Sequence, residues 1–154
     1  MLSPEKVAKL RAAGLEIQPM PLRGSAARLP LYLSPVQAGT PALAESDLAG
    51  DMNLGDWLAP HPDRSFLVRV RGDSMVDFGI FDGDLLVVET GRRPRKGEIL
   101  VAKIHGAYTV KRLGTEEGKP VLLAGNPKYP SIPIVPGEMR IGGVVRSVVR
   151  RYGD

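Results

Sequence analysis

From residue 65 onward, apolar and polar positions alternate in short runs of the kind that half-buried strands produce. Residues 65–71 (SFLVRVR) and 84–89 (DLLVVE) each read as one strand. Residues 98–104 and 107–113 flank His105-Gly106, a two-residue connection suited to a hairpin. Residues 121–124 and 140–149 supply two more strands. Short strands this closely spaced, cut by Gly-Asp and Pro-Gly turns, predict a mostly β protein: a small, strongly bent antiparallel β-fold.

The first 64 residues have a different texture. They hold Pro4, Pro19, Pro21, Pro30, Pro35, Pro41, Pro60 and Pro62, a density that breaks regular elements. Ser3-Pro4-Glu5 starts a helix that Gly14 stops. At about ten residues it is marginal by itself in water. Residues 14–44 read as an extended or irregular arm, and 51–58 (DMNLGDWL) as one or two helical turns before the His61-Pro62 break.

Composition narrows the chemistry. With 154 residues, 43% hydrophobic and 25% charged, the chain suits one folded domain and a tail rather than a disordered protein. No apolar run reaches the ~20 residues that span a bilayer, and residues 1–14 lack a secretory apolar stretch, so a cytoplasmic location is expected. Zero cysteines exclude disulfides and thiolate nucleophiles. With His61 and His105 the only histidines, neither a metal site nor a His-based triad is expected, and no cofactor is called for. Basic residues cluster at Arg92, Arg93, Arg95 and Lys96, and at Arg146, Arg150 and Arg151. Without interleaved aromatic residues these read as solvated faces, so direct DNA binding is expected to be weak or absent.

One stretch carries chemistry. Gly72-Asp73-Ser74-Met75 follows a predicted strand, where a serine hydroxyl can project into a cleft beside free backbone N–H groups. A serine hydroxyl needs a base, and lysine substitutes where histidine is scarce. Lys111 fits: in a strand, Thr109, Lys111 and Leu113 share one face. An ammonium turned into an apolar cleft loses hydration, which lowers its pKa toward the range of a useful base. By itself a serine in such a turn is a turn former, and a strand lysine an edge charge. The pair gains its meaning from its setting.

That setting resembles the peptidase domain of the LexA/UmuD family of self-cleaving serine peptidases, over residues 65–149. The matching pieces are Gly72-Asp73-Ser74-Met75, Gly79-Ile80, Asp82-Gly83-Asp84 with Leu85-Leu86-Val87-Val88, and Thr109-Val110-Lys111-Arg112-Leu113. Serine and lysine lie 37 positions apart, as in that family. The resemblance implies a Ser74–Lys111 dyad and an oxyanion hole formed by the backbone amides of Asp73 and Ser74. It also implies cleavage of the protein's own arm between a small residue and glycine.

Ala-Gly occurs at 13–14, 38–39, 49–50 and 124–125. Ala38-Gly39, in the extended arm and 35 positions ahead of the nucleophile, is the expected scissile bond; Ala124-Gly125 should be protected in the β-core. The resulting division is 1–38 as a removable arm, 39–64 as a linker with a short helix, and 65–154 as the peptidase β-domain. With five prolines among 38 residues, the arm does not read as a helix-turn-helix domain. The resemblance is therefore to UmuD most closely. It implies an SOS-response homodimer, a RecA–DNA filament that promotes cleavage, and service as accessory subunit to a UmuC-like translesion polymerase. A LexA-like regulator, using the same domain for dimerisation and switching, is the alternative. A signal-peptidase-like enzyme acting on other chains is disfavoured for want of a membrane anchor.

Overall fold

The computed structural model describes residues 48–153 continuously, together with Glu5, Ala8, 17–18 and 28–32. In chain order the strands are β1 (Ile17–Gln18), β2 (Arg28–Tyr32), β3 (Leu48–Asn53), β4 (Ser65–Arg69), β5 (Leu85–Glu89) and β6 (Ile99–Ile104). They continue as β7 (Ala107–Glu116), β8 (Lys119–Leu123), β9 (Ile132–Pro133) and β10 (Met139–Val149). Within residues 48–153 one short α-helix, α1, spans Leu54–Leu58. Eight strands form one antiparallel sheet in the order β1-β4-β5-β10-β6-β7-β8-β9, and β2 pairs with β3 separately.

The alternation seen along the sequence is what buries the sheet. In β6, Val101 faces one apolar cluster with Phe66, Val68, Met75, Ile80, Leu86 and Val88. Its neighbours Leu100 and Ala102 face a second cluster with Leu122. Period-two geometry thus splits one continuous apolar run between two faces. β10 lies between β5 and β6 and shifts register at two bulges, which add twist and bend. The predicted hairpin is present: Ile104 pairs with Ala107, and both His105 (φ 46°) and Gly106 (φ 86°) take positive φ. A two-residue turn whose twist suits the strands requires that conformation, and Gly106 adopts it without steric cost.

Upstream, the correspondence is looser. Glu5 and Ala8 are helical, and the rest of the predicted 3–14 helix lies outside the described residues. Of the arm, β1 adds to the open edge of β4 through Ile17–Val68 and Gln18–Leu67. Residues 51–53 are strand rather than helix, because they pair with 28–30 of β2. The helix begins only after Asn53, whose Oδ1 accepts from the Asp56 N–H at 3.3 Å and caps it.

Candidate active site

Ser74 sits in a turn that is fastened from several directions. After β4 the chain is held by Val70 N–H to Asp84 O (2.8 Å) and Gly83 N–H to Val70 O (2.9 Å). The Asp82 carboxylate accepts the Gly72 N–H at 2.7 Å, two residues ahead of the serine. On the far side Met75 plunges into the core at 2% exposure, and a 3-10 turn follows at Val76–Phe78. The serine is thereby left half-buried, between an exposed glycine and a buried methionine.

The structure brings the two residues predicted from the motif together. Lys111 Nζ lies 3.1 Å from Ser74 Oγ, 3.0 Å from Thr109 Oγ1 and 3.0 Å from Val110 O. Register explains the position: Lys111 pairs with Leu100 and Thr109 with Ala102, so both point to the face of the second apolar cluster. The residue is 5% exposed, and burial holds its pKa below the ordinary lysine value. A neutral amine has two N–H donors and one lone pair. As an ammonium, Lys111 Nζ donates to Ser74 Oγ, Thr109 Oγ1 and Val110 O alike. On losing a proton it would keep two donors for Thr109 and Val110 and turn its lone pair to the Ser74 hydroxyl. Such a pair can pass a proton from oxygen to nitrogen.

Among the described residues, no acceptor meets the backbone N–H of Ser74, while that of Asp73 turns toward its own carboxylate. A groove lined by Arg69, Val70, Ser74, Met75, Tyr108 and Val110 opens beside the hydroxyl. Ala38-Gly39 lies outside the described residues. Ala13-Gly14 lies outside them too, while the other two alternative dipeptides are tied down. Gly50 sits in β3 opposite Leu31, and Gly125, just after β8, is buried with both its N–H and its C=O engaged.

Sequence reasoning missed the wall formed by the loop of residues 124–130. Gly125 donates to Ser74 O and accepts from Asp77 N–H, both at 2.7 Å. Asn126 Nδ2 donates to Asp73 O at 3.0 Å. Tyr129 Oη donates to Asp73 Oδ1 at 2.6 Å, and Lys128 Nζ to Asp73 Oδ2 at 3.2 Å. These bonds, Tyr129's first, pull the Asp73 carboxyl below its usual range. The Tyr129 hydroxyl, held by that carboxylate, is pushed up. The available signal was the Asn126-Pro127 turn dipeptide, which marks a loop but not what the loop grips. Three residues of the basic clusters, Arg92, Arg146 and Arg150, likewise find acidic partners within the fold. Glu89, 2% exposed, lies between Arg64 (2.7 Å) and Arg146 (3.2 Å), and Arg150 Nε meets the buried Asp84 carboxylate at 2.6 Å. Arg92 pairs with Glu98 at 2.7 Å.

No helix among the described residues is long and apolar enough to cross a membrane. The Peptidase S24-like family matches residues 30–146. The chain is 41% identical to LexA repressor 1 of Pseudomonas putida over 140 residues, covering 90% of this chain and 68% of that repressor. It is 42% identical to the LexA repressor of Paracidovorax citrulli over 134 residues, 85% of this chain and 58% of the relative. Protein SamA of Salmonella typhimurium is 35% identical over 122 residues, 79% of this chain and 85% of SamA. With the family matched across most of its length, and with the bent antiparallel sheet described above, the chain belongs to the Peptidase S24-like family.

Proposed function

We propose that this chain is a self-cleaving serine endopeptidase that works as a once-only switch. Ser74 is the nucleophile and Lys111 its general base. The observation that carries this is the 3.1 Å approach of a buried amine to the Ser74 hydroxyl. In the reaction Ser74 Oγ attacks the carbonyl carbon of Ala38 while its proton moves to Lys111 Nζ. The Asp73 and Ser74 N–H groups receive the negative charge on the carbonyl oxygen. Collapse breaks the Ala38–Gly39 C–N bond, Lys111 returns the proton to the Gly39 nitrogen, and water then hydrolyses the acyl-serine. Ala38-Gly39 falls in the segment joining β2 to β3. Strand addition at the groove would fix it there, as β1 already adds to the edge of β4.

The LexA repressors among the relatives favour a regulator that is switched by its own scission, with the domain also serving as a homodimer module and an activated RecA–DNA filament as trigger. The second reading is the UmuD-like accessory subunit of a translesion polymerase. The placement of Ala38-Gly39 35 positions ahead of Ser74 favours it.

Purified protein should cut itself slowly at alkaline pH and faster with activated RecA filaments, giving a larger product that begins at Gly39 by mass spectrometry. Ser74→Ala and Lys111→Ala should each lower the rate by roughly 10³-fold or more. Equal scission in Lys111→Ala removes the lysine from the mechanism, and a product starting at Gly50 moves the bond. Titrating intact and cut protein with operator DNA and with a translesion polymerase separates the two biological roles.

A further inference from the structure

The peptide group joining Asp73 to Ser74 is gripped at one end only. Its carbonyl oxygen accepts from Asn126 Nδ2 at 3.0 Å, while its N–H, that of Ser74, meets no acceptor among the described residues. Every described peptide bond is trans, so C=O and N–H of this unit point in opposite directions. Holding the oxygen therefore fixes where the N–H points, which is away from the 124–130 loop. Asn126 is itself anchored, because its Oδ1 accepts the Lys128 N–H at 3.0 Å. The loop is fastened to the same turn by the Gly125 bonds to Ser74 O and from Asp77 N–H. Glycine relieves crowding there: a Cβ on Gly125 would stand 2.7 Å from the Phe78 ring and 3.1 Å from its backbone nitrogen.

We propose that Asn126 is a positioning residue for scission, holding the Asp73–Ser74 peptide plane so that the Ser74 N–H is aimed at the developing oxyanion. This rests on the functional reading given above. An oxyanion donor acts through preorganisation: a dipole already fixed costs nothing to reorient as charge develops. A peptide plane free to rotate loses that advantage, and small misplacements at a reacting centre cost orders of magnitude. Asn126 grips neither the Ser74 hydroxyl nor the Lys111 amine. Its removal should lower the rate without changing which proton controls it.

The test is the rate of self-scission of the full chain from neutral to alkaline pH, for wild type, Ser74→Ala, Asn126→Ala and Asn126→Asp. Asn126→Ala should cut about 10- to 100-fold more slowly at every pH, with the midpoint of the pH profile unmoved. Its urea unfolding curve should match that of wild type. Asn126→Asp keeps the acceptor for the Lys128 N–H and loses the donor to Asp73 O, so it should be slowed at least as much; it carries the test if Asn126→Ala does not fold. Scission within threefold of wild type in a folded variant overturns the proposal. So does a loss of rate that higher pH restores, since Asn126 would then act on the base. Failure of both variants to fold makes Asn126 a determinant of the fold and also overturns it. Scission by Ser74→Ala, or a wild type silent at every pH, instead sinks the functional reading itself.

Discussion

The two walls that meet at Ser74 each carry a lysine, in opposite electrostatic situations. On the β7 wall, Lys111 is 5% exposed beside Leu100 and Ala102, and its amine touches only uncharged oxygens. Burial is the cause of its lowered pKa. On the loop wall, the Lys128 side chain is 71% exposed and its Nζ lies 3.2 Å from Asp73 Oδ2. That carboxylate holds its pKa above the ordinary value. The same functional group thus holds its proton less firmly on one side and more firmly on the other. Water and a carboxylate are withheld from Lys111 and supplied to Lys128.

The largest effect expected from breaking this contrast is at Lys111. Its folded-state pKa is lowered, so between that value and the unfolded value, about 10.4, the unfolded chain binds more protons. Stability should therefore rise with pH through this window, and the burial cost should be fully present below it. The scission rate should climb over the same range, because only the neutral amine is a base. Lys111→Met removes the cost of burying the amine along with the base. It should abolish scission while raising stability at pH 7 by on the order of 1 kcal/mol, an advantage that fades at alkaline pH. Urea unfolding at pH 7 and pH 10 measures both. A variant less stable than wild type at pH 7, or a flat pH–rate profile, would mean that burial does not lower the Lys111 pKa.

The two walls also differ in how much of them the sequence discloses. Lys111 was legible because a strand has a fixed period: once 107–113 is read as a strand, the shared face of Thr109, Lys111 and Leu113 follows. The strands of the central sheet were legible for the same reason. The loop wall has no period. Asn126, Lys128 and Tyr129 reach Asp73 across 53 to 56 positions of sequence, a juxtaposition that only the closed fold creates. Asp82 was visible as part of Asp82-Gly83-Asp84, yet its grip on the Gly72 N–H is likewise a matter of tertiary structure. Of the helical turns expected at 51–58, residues 54–58 are helix, but 51–53 are strand for a related reason. β2 offers those residues a ladder, and tertiary pairing outweighs local helix preference.

A smaller effect is expected from forcing the walls apart at their closest point. Gly125→Ala places a methyl group against the Phe78 ring, which is itself covered by the Arg112 guanidinium 5.0 Å from its centre. Neither the ring nor the Phe78 backbone can move freely, so overpacking should cost about 1–3 kcal/mol. Because Gly125 bonds directly to Ser74 O, scission should slow by roughly tenfold even where the protein stays folded. Thermal unfolding and the scission rate, measured on one preparation, check the two parts. Loss of stability with an unchanged rate would show that the loop supports the sheet but does not place the serine.

The smallest effect is expected where the wall meets water. Lys128→Ala removes a pair whose partners are both well exposed, at 71% and 47% of the side chain, and such pairs contribute little because water and salt screen them. Asp73 keeps the 2.6 Å bond from Tyr129 Oη, and its backbone carbonyl keeps Asn126. The nucleophile turn should therefore hold its shape, and scission should stay within about twofold of wild type, with the same pH midpoint. Raising the salt concentration should mimic the substitution, since both act on the same screened attraction. If Lys128→Ala instead cut scission by tenfold or more, exposure would no longer divide the two lysines by function. The charge on the loop wall would then have to act on the developing oxyanion across the cleft, and a salt-dependent wild-type rate would accompany it.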